Sequence, residues 1–492
     1  GLPIELGVEK ELGITKEDIG KTISVEDYNK ACRTAVMRYT DIWNELTEKM
    51  GYWVDMEDPY ITYENKYIET VWWLLHKMYD KGLLYKGYTI QPYSPAAGTG
   101  LSSHEINQPG AYQDVKDTSA IAKFRVLGSG FGVGADLPQY LLAWTTTPWT
   151  LPSNTALAVG KNIDYVKVKT YNQYTHLPIV VFLAKDLLSK HFKAENAELP
   201  FEEYEAGQKN IPYQIISEHK GSDFEGTVYE QLLPYVLPND HPDKAFRVIL
   251  GDFVTTEDGT GIVHIAPTFG ADDARVAKKA GIPPMLIMDK NGNLVPLVDL
   301  QGRFIEQMGD LGGKFVKNEY YSENVPQKSI DVEIAIKLKE ENKAFKVEKY
   351  QHNYPHCWRT DKPILYYPLD SWFIAVSKSK DRMVELNKTI NWKPKSTGEG
   401  RFGNWLENLQ DWNLSRSRFW GTPLPIWRTE DGTEEKCIGS IAELRTEVEK
   451  AVTAGFMDGP LANDFELHKP YVDDVYLVSD TGQKMWREAD LI

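Results

Sequence analysis

Apolar residues recur at helical spacing through the first part of the chain. Over residues 24–50 they fall every three or four positions behind a Ser-x-x-Asp capping pair, and Gly51 is placed to end the helix that this pattern predicts. A second stripe over residues 68–79 predicts another amphipathic helix, with Thr62 as its N-cap and Gly82 at its end. The beginning of the chain is therefore predicted to be mainly helical.

From about Val115 the pattern changes to short β-type runs separated by turn residues. The runs lie at residues 121–126, 140–144, 155–159, 165–170, 179–183, 246–250 and 261–265. Many short strands with turn signals between them predict a compact β-barrel-like domain. The glycine-rich segment at residues 128–134 is predicted to be a hairpin connection and not a nucleotide-binding loop, because its spacing differs and no helix pattern follows it.

Helical patterns return after Ile330, at residues 331–342 and around residues 372–387, and an aromatic segment follows at residues 404–427. The β-type region is therefore flanked on both sides by α-rich sequence. This arrangement is typical of a domain inserted into another domain.

Length and composition limit the classes of protein that fit. A chain of 492 residues is longer than one hydrophobic core normally supports, so more than one domain is expected. The net charge of −16 argues against a protein that coats nucleic acid non-specifically, although a local basic face remains open. Three widely spaced cysteines cannot form a disulfide framework, which favours a reducing compartment and a cytoplasmic location. No apolar run reaches the roughly 20 residues of a membrane helix and no signal-peptide pattern is present, so no membrane partner is expected.

Hydroxyl groups and indole rings are concentrated in the stretch Trp144-Thr-Thr-Thr-Pro-Trp-Thr150. The sequence before it and residues 155–159 after it are strand-like, whereas Pro148 and Pro152 exclude regular pairing between them. A strand interrupted in this way leaves hydroxyls and rings where a ligand could meet them. On composition alone, a Thr-rich loop without any ligand remains the simpler interpretation.

A second candidate segment runs from Gly259 to Asp273. A strand delivers His264 to a Pro/Gly turn, and Asp272 and Asp273 then fall at the start of a predicted helix. Helix capping and the helix dipole explain acidic residues there, but a carboxylate held by backbone N–H groups also stays ionised and could receive an ammonium group. His264 is open to a structural role at the strand end or to a role in shaping a pocket.

Four segments, taken together, resemble the class I isoleucyl-tRNA synthetases, over the whole chain and in the family's order. They are the opening Gly1-Leu-Pro-Ile-Glu5, the stretch Trp144 to Thr150, the block His264 to Asp273, and Ser415-Arg-Ser-Arg-Phe-Trp-Gly-Thr-Pro-Leu-Pro-Ile426. The Trp-Thr-Thr-Thr-Pro-Trp-Thr form is the specific one. Leucyl and valyl relatives resemble it as Thr-Thr-Arg-Pro versions, so Thr147 separates the isoleucine branch.

The resemblance implies a fold class of α/β and β, in which part of a class I Rossmann-type catalytic domain carries an inserted β-barrel-like editing domain. The family's His-Ile-Gly-His-type and Lys-Met-Ser-Lys-Ser-type ATP motifs and its anticodon-binding helices do not occur here, and the chain starts and stops without tails, so an excised piece is expected. Residues 1–115 would hold part of the catalytic domain and the start of the insertion, residues 116–332 the editing domain, and residues 333–492 the return into the catalytic domain and connective elements.

The sequence contains residue types that bind zinc, so a zinc site has to be considered. His352, His356 and Cys357 are zinc-binding residue types, yet no Cys-x-x-Cys pair or second Cys/His cluster completes four ligands. Bacterial relatives often carry paired zinc cysteines near the inserted domain, whereas residues 93–97 and 357–360 retain only one thiol. The resemblance therefore implies no metal and no cofactor for this piece, with ATP and magnesium serving the full-length enzyme.

By the family's pattern, the inserted domain hydrolyses valine wrongly esterified to the 3′ end of tRNA(Ile), while the parent enzyme activates isoleucine with ATP and charges tRNA(Ile). The resemblance implies that Asp273 binds the substrate ammonium and that two threonines orient water, so the catalytic residues would be Thr146, Thr147 and Asp273. His264 would bar the larger isoleucine side chain, and the substrate-binding residues would be Trp144, Thr145, Trp149, Thr150 and His264. The expected partners are the tRNA(Ile) acceptor end and valine or isoleucine aminoacyl groups, and a monomer is expected.

Two other functions remain open at this point. The chain could be a catalytically silent module that binds the tRNA acceptor end or aminoacyl groups, because the missing helical regions would supply most of the tRNA affinity. An unrelated β-barrel esterase is disfavoured, because no Gly-x-Ser-x-Gly elbow and no Ser/His/Asp set is visible.

Overall fold

The computed structural model describes residues 1–128, 137–290 and 292–492. The chain forms two compact units. The first contains residues 1–88, 97–102 and 370–492, and the second contains residues 89–96 and 103–369. The predicted boundaries of the editing domain, residues 116–332, remain a prediction.

The α-helices of the described residues are α1 Leu2–Leu12, α2 Val25–Met37, α3 Thr40–Lys49, α4 Asn65–Asp80, α5 Ser103–Ile106, α6 Leu188–His191, α7 Ala271–Ala280, α8 Ile330–Glu340, α9 Lys380–Asn387, α10 Lys395–Glu399, α11 Arg401–Glu407 and α12 Ile441–Thr453. The strands are β1 Leu84–Ser94, β2 Thr99–Gly100, β3 Tyr112–Arg125, β4 Gln139–Thr145, β5 Ala156–Val159, β6 Asp164–Tyr171, β7 Pro178–Ala184, β8 Tyr213–Lys220, β9 Arg247–Leu250, β10 Ile262–Ile265, β11 Leu286–Met288, β12 Leu294–Pro296, β13 Ala344–Cys357, β14 Lys362–Pro363, β15 Leu365–Ile374, β16 Trp412–Asn413, β17 Ile426–Thr429, β18 Glu435–Cys437, β19 Leu477–Val478 and β20 Lys484–Arg487.

In the first unit, α4 packs on an antiparallel sheet with the strand order β18-β17-β20-β19. Trp72 of α4 and Trp427 of β17 are fully buried and meet edge to face, with ring centroids 5.9 Å apart. Each indole also donates to a backbone carbonyl, Trp72 to Pro423 and Trp427 to Val475. Because a buried indole N–H needs an acceptor, these bonds fix the helix on its sheet.

A buried ion pair also holds the first unit together. The Nε of Arg418 lies 3.1 Å from Oε2 of Glu5 on α1, and the two side chains are 3% and 1% exposed. Arg418 also binds Glu9, one turn further along α1. One guanidinium therefore neutralises two carboxylates that have little contact with water.

The second unit is built on a curled sheet that closes on itself. Its strands run in the order β3-β4-β10-β5-β9, and β4 also pairs with β7, which continues through β6 to β8. Val228 pairs with Arg247 of β9, and Tyr229 pairs with Val126 directly after β3, so this short segment joins the last strand to the first. The interior is filled by side chains from each strand, including Phe124, Leu141, Leu157, Val248 and Ile262. The predicted fold class, α/β and β with a β-barrel-like domain, is confirmed.

The β-type runs predicted for this region are all strands, namely β3, β4, β5, β6, β7, β9 and β10. The strands β1, β8 and β13 were not predicted; β13 is rich in Lys, His, Asn and Tyr, and its long pairing with β3 supplies the stability that its composition does not indicate. The predicted hairpin at residues 128–134 lies, apart from Gly128, outside the described residues.

The single helix predicted over residues 24–50 is wrong, because the chain forms α2 and α3 with a break between them. Ser24 does cap α2, since its hydroxyl accepts from the Asp27 amide at 3.0 Å. Tyr39 leaves the helical conformation, with φ −117° and ψ 16°, and the apolar stripe beyond it is exposed, Trp43 by 66%. Without burial of that stripe, nothing favours one straight helix over two.

Two other helix predictions need correction. The helix over residues 68–79 exists as α4, but its N-cap is Glu64 and not Thr62. The helix predicted around residues 372–387 begins only at Lys380, and Trp372 lies in β15. Trp372 is fully buried and its amide donates to the Ser415 hydroxyl, so packing and sheet pairing override the helical pattern. Among the described residues, every helix is too short or too polar to cross a membrane.

Candidate active site

The threonine-rich stretch forms a tight turn at the end of β4. Pro148 begins a 3-10 helix, Pro148–Ser153, and Thr147 is its N-cap. The Thr147 amide donates to the Thr145 hydroxyl at 3.0 Å, and the Thr147 and Thr145 hydroxyls are 3.3 Å apart. The Thr150 hydroxyl lies 3.5 Å from that of Thr147 and donates to the Thr147 carbonyl at 2.8 Å. The turn thus aligns three hydroxyls in contact with one another.

His264 extends this row of hydroxyls. Strand β10 pairs with β5, with His264 opposite Leu157, and His264 Nε2 lies 3.0 Å from the Thr150 hydroxyl. Which of the two groups donates in this bond depends on the tautomer of the ring, because the Thr150 hydroxyl can donate either to His264 Nε2 or to the Thr147 carbonyl at 2.8 Å. Burial lowers the pKa of His264 to about 4, so the ring is neutral near pH 7.

Asp273 lies in the first turn of α7, as predicted from the sequence. Its carboxylate Oδ2 accepts from the Ala266 amide at 2.9 Å, which ties the helix back to the end of β10. Burial raises the pKa of Asp273 to about 6, although the Ala266 N–H opposes the shift. The carboxylate is therefore mostly ionised near pH 7 and is less well solvated than an ordinary surface carboxylate.

Gly270, the N-cap of α7, makes room for this carboxylate. A Cβ atom at position 270 would lie 2.7 Å from Cγ of Asp273, closer than real Cβ contacts occur. The backbone conformation at Gly270, φ −144° and ψ 129°, is one that any residue can adopt. Space for Asp273, and not backbone freedom, is what requires glycine at this position.

The two turns of the site pack against each other through their aromatic rings. Trp149 is 2% exposed, and its ring centroid lies 5.1 Å from that of Phe269 in an edge-to-face contact. Thr146 is half-buried, and its predicted place in the site remains a prediction. The structure therefore brings together Thr145, Thr147, Thr150 and His264 by direct contact, with Trp149 packed on the turn that leads to Asp273. Within the described parts of the chain, Asp273 makes no hydrogen bond to the threonines or to His264.

Trp144 lies on the other face of β4. Successive strand residues point to opposite faces, and Trp144 packs with Ile121 and Leu142, whereas Thr145 is opposite Ala120 of the barrel interior. Its ring meets that of Tyr350 with centroids 5.0 Å apart. A role for Trp144 in the wall of the pocket therefore remains a prediction.

Comparison with known proteins shows the family to which the chain belongs. A family model described as tRNA synthetases class I (I, L, M and V) matches residues 1–468. The chain belongs to the class I tRNA synthetases.

Relatives of this synthetase chain are similar over its whole length. It is 64% identical over 503 residues to an isoleucine–tRNA ligase of Cytophaga hutchinsonii, covering 100% of this chain and 45% of the relative. It is 61% identical over 524 residues to that of Bacteroides fragilis, covering 100% of this chain and 46% of the relative. The predicted resemblance to the isoleucyl-tRNA synthetases is confirmed. The chain spans about half the length of these relatives.

Among solved structures, a leucyl-tRNA synthetase CP1 domain, GlLeuRS-CP1, matches with 16% identity and a TM-score of 0.30, over 47% of this chain and 99% of its own. The editing domain of the P. falciparum cytosolic leucyl-tRNA synthetase matches with 14% identity and a TM-score of 0.24, over 34% of this chain and 68% of its own.

The zinc-type residues of the synthetase chain have other partners. His352 Nε2 lies 3.3 Å from Oδ2 of Asp117, and His356 Nδ1 lies 2.9 Å from the Tyr354 carbonyl. Cys357 is a buried free thiol. Across residues 1–128, 137–290 and 292–492, no group of three or more His, Cys, Asp or Glu side chains is arranged to hold a metal ion.

Sequence reasoning missed one residue that touches the threonine turn. Oδ1 of Asp331 accepts from the Trp149 amide at 2.9 Å, across 182 positions of sequence. Asp331 is 3% exposed and lies at the start of α8, a helix that the sequence does predict. The only sequence signal was an acidic residue at a helix start, which capping explains by itself.

Proposed function

We propose that the second unit hydrolyses the ester of Val-tRNA(Ile), as the editing domain of an isoleucine-specific synthetase. The observation that carries the proposal is the row of three threonine hydroxyls that ends on the neutral ring of His264. This row lies at a broken strand end, beside a turn that carries a desolvated carboxylate. Hydroxyls of this kind can hold a water molecule and the ribose of a 3′-terminal adenosine.

Asp273 supplies the charge that an aminoacyl ester requires. The substrate carries a free ammonium group next to its ester carbonyl, and an ionised carboxylate with limited solvation pairs well with such a group. The Ala266 amide holds the Oδ2 oxygen of this carboxylate, and this bond would anchor the group while it pairs with the substrate. The ammonium would thus fix the position of the ester carbonyl.

His264 supplies the size limit. The imidazole is 8% exposed, and its bond to Thr150 holds the ring in one orientation. A fixed, neutral ring can form a wall that admits valine but not the extra methylene of isoleucine. A synthetic pocket alone distinguishes these two amino acids by only about 10- to 200-fold, the isoleucine enzymes being the standard example, so a second hydrolytic site that excludes by size is needed.

The reaction itself is direct attack by water on the ester carbonyl. The water oxygen bonds to the carbonyl carbon, the bond from that carbon to the ribose oxygen breaks, and the water proton ends on the ribose oxygen, giving valine and tRNA. Thr146 and Thr147 would orient the water. A threonine is too weak an acid to act as a nucleophile without a strong base, and the low pKa of His264 makes it a poor one, so no covalent intermediate is expected.

The parent protein, about twice as long as this chain, would activate isoleucine with ATP and magnesium and charge tRNA(Ile). We propose for it the tRNA acceptor end as partner, a monomeric state and a cytoplasmic location. The three buried free cysteines are in keeping with a reducing compartment.

Deacylation of Val-tRNA(Ile) by the chain at micromolar concentration tests the proposal. Release of valine above the spontaneous rate is expected, with no burst of enzyme-bound valine. A spontaneous rate together with retained binding of valyl-adenosine would instead make the chain a binding module. A covalent valyl-enzyme trapped on a threonine would overturn the water mechanism.

A further inference from the structure

The 3-10 helix Pro148–Ser153 has an unusual arrangement at its N-terminus. An N-cap threonine normally accepts from the amide of the second or third helical residue, and so satisfies a donor that the helix itself leaves unpaired. Thr147 is the N-cap here, but its side chain makes no capping bond. Its hydroxyl instead contacts Thr145 and Thr150.

Each amide of this first turn is accounted for without the Thr147 hydroxyl. Pro148 has no N–H, and the Thr150 amide donates to the Thr147 carbonyl at 3.0 Å. The remaining donor is the Trp149 amide, and it donates to Oδ1 of Asp331 at 2.9 Å. A carboxylate from α8 thus performs the capping that the threonine would otherwise perform.

From these contacts we infer that Asp331 is a positioning residue of the proposed editing site, and that it keeps the Thr147 hydroxyl available to substrate by capping the Trp149 amide from outside. The inference rests on the proposed function for its catalytic consequence. The contact itself is independent of what the site hydrolyses.

Lys317 explains why a buried carboxylate can stay in this place. Its ammonium Nζ lies 3.7 Å from Oδ2 of Asp331 and 3.2 Å from Oδ2 of Asp117, and it sits 4.6 Å from the centre of the Tyr354 ring. Burial by itself lowers the pKa of Lys317, but Asp331, Tyr354 and Asp117 more than offset this and raise it overall. The lysine therefore stays charged and leaves Oδ1 of Asp331 free to face the Trp149 amide.

Burial raises the pKa of Asp331 to about 6, and Lys317 opposes the shift. The group is therefore mostly a carboxylate near pH 7, and a carboxylate can only accept hydrogen bonds. An amide donor such as Trp149 N–H fits it, whereas the threonine hydroxyls remain available for other partners.

Removal of the Asp331 carboxylate, which accepts from the Trp149 amide, tests this inference directly. In Asp331→Ala the Trp149 amide loses its acceptor, and the acceptor that an N-cap threonine normally offers to the second helical residue is its own hydroxyl, here that of Thr147. We expect that hydroxyl to turn toward the amide and away from Thr145 and Thr150. In a crystal structure of the variant, Thr147 Oγ1 should lie within hydrogen-bond distance of Trp149 N. If it keeps its contacts with the other two hydroxyls, the inference is wrong.

Kinetics give a second, separate readout in single-turnover hydrolysis of Val-tRNA(Ile). Asp331→Ala should lower the maximal rate about 10- to 100-fold with little change in the half-saturating concentration, because a misplaced group costs the chemical step and not binding. Asp331→Asn retains an oxygen that can accept from Trp149 and should restore most of the rate. The matched control is Glu333→Ala, which removes another ion-paired acid of α8, bonded to Lys314 at 2.6 Å.

A double variant decides whether the effect runs through Thr147. If Asp331 acts by freeing that hydroxyl, Asp331→Ala combined with Thr147→Val should be no slower than Thr147→Val alone. Rate losses that multiply would overturn the inference. If the unaltered chain does not hydrolyse the ester at all, the proposed function fails, while exchange of the Trp149 amide with solvent, faster in Asp331→Ala than in Asp331→Asn, still tests the cap.

Discussion

His264 Nε2 lies 3.0 Å from the hydroxyl of Thr150, and this hydrogen bond joins β10 to the threonine turn across 114 residues of sequence. The ring is neutral near pH 7, since its pKa is lowered to about 4, and its Nδ1 is buried and has no hydrogen-bond partner among the described residues. A small substrate would meet a fixed wall and not a mobile side chain.

Replacement of His264 by alanine should change what the site accepts. Loss of the ring opens the space that excludes the extra methylene, so correctly charged Ile-tRNA(Ile) should be deacylated by His264→Ala but not by the unaltered chain. Deacylation of Val-tRNA(Ile) should persist. An unchanged rate on both esters would show that the size limit lies elsewhere.

Replacement of Asp273 by alanine should remove deacylation of Val-tRNA(Ile), by at least about 100-fold, because the substrate ammonium loses its charge partner. Asp272→Ala is the matched control: Asp272 lies in the same helical turn, is exposed and pairs with Arg275 at 3.0 Å. Because ionisation of a carboxyl with a raised pKa opposes folding, Asp273→Ala should be no less stable than the control. Equal rates for the two variants would contradict the assignment.

The pH dependence of deacylation should report the same carboxylate. The pKa of Asp273 is raised to about 6, so the binding form is lost as the pH falls through that value. The second-order rate constant, after subtraction of spontaneous hydrolysis, should therefore rise by about tenfold per pH unit below pH 6 and level off above about pH 7. A rate constant that is flat between pH 5 and pH 7 would rule out an ionised Asp273 as the ammonium partner.

A single methyl group added at Gly261 should strongly lower the free energy of unfolding of the barrel. This residue has φ +73°, and a Cβ there would lie 2.3 Å from Cβ of Ala184. Gly261→Ala combines an unfavourable left-handed conformation with overpacking, so a loss of about 2–5 kcal/mol in the free energy of unfolding is expected. Gly281→Ala has a similar φ, +69°, with nothing within 4 Å, and should lose only about 1–2 kcal/mol. Urea unfolding followed by fluorescence measures both, and equal losses would contradict the packing argument.

The first unit offers a test of its buried ion pair. Arg418→Met leaves the carboxylates of Glu5 and Glu9 without their cation, and a loss of about 3–5 kcal/mol is expected. Arg38→Met is the control, since Arg38 pairs with Glu11 at 2.8 Å on an exposed surface, where solvent screens the pair, and its loss should change the free energy of unfolding far less. Circular dichroism during urea unfolding distinguishes the two, and a mild effect of Arg418→Met would mean that water compensates Glu5.

The sequence was sufficient to predict the barrel strands β3, β4, β5, β6, β7, β9 and β10, because their apolar runs and turn residues are local signals. It was also sufficient to predict that Asp272 and Asp273 begin a helix. The break at Tyr39 and the strand at Trp372 could not be predicted in the same way, since both depend on which apolar faces find a partner in the folded chain. For Trp372, burial decided against the helical pattern.

In the candidate site, too, some features follow from local sequence patterns and others depend on the folded chain. The Thr-rich stretch and His264 could be selected from residue types, and the fold brings Thr150 and His264 into contact. The contact of Asp331 with Trp149 spans 182 positions, and no local pattern specifies it. The orientation of Trp144 also depends on the register of β4, which fixes the face of the barrel on which each side chain lies.

A substitution at Gly270 would be enough to disturb the proposed site. Its backbone conformation is open to any residue, and the atoms nearest to a Cβ at this position would be Cγ, Oδ2 and Cβ of Asp273. Alanine at position 270 would therefore displace the side chain of Asp273, the proposed ammonium anchor, without straining the backbone at position 270 itself. If the second unit edits Val-tRNA(Ile) as proposed, such a variant would allow valine to replace isoleucine in newly made proteins.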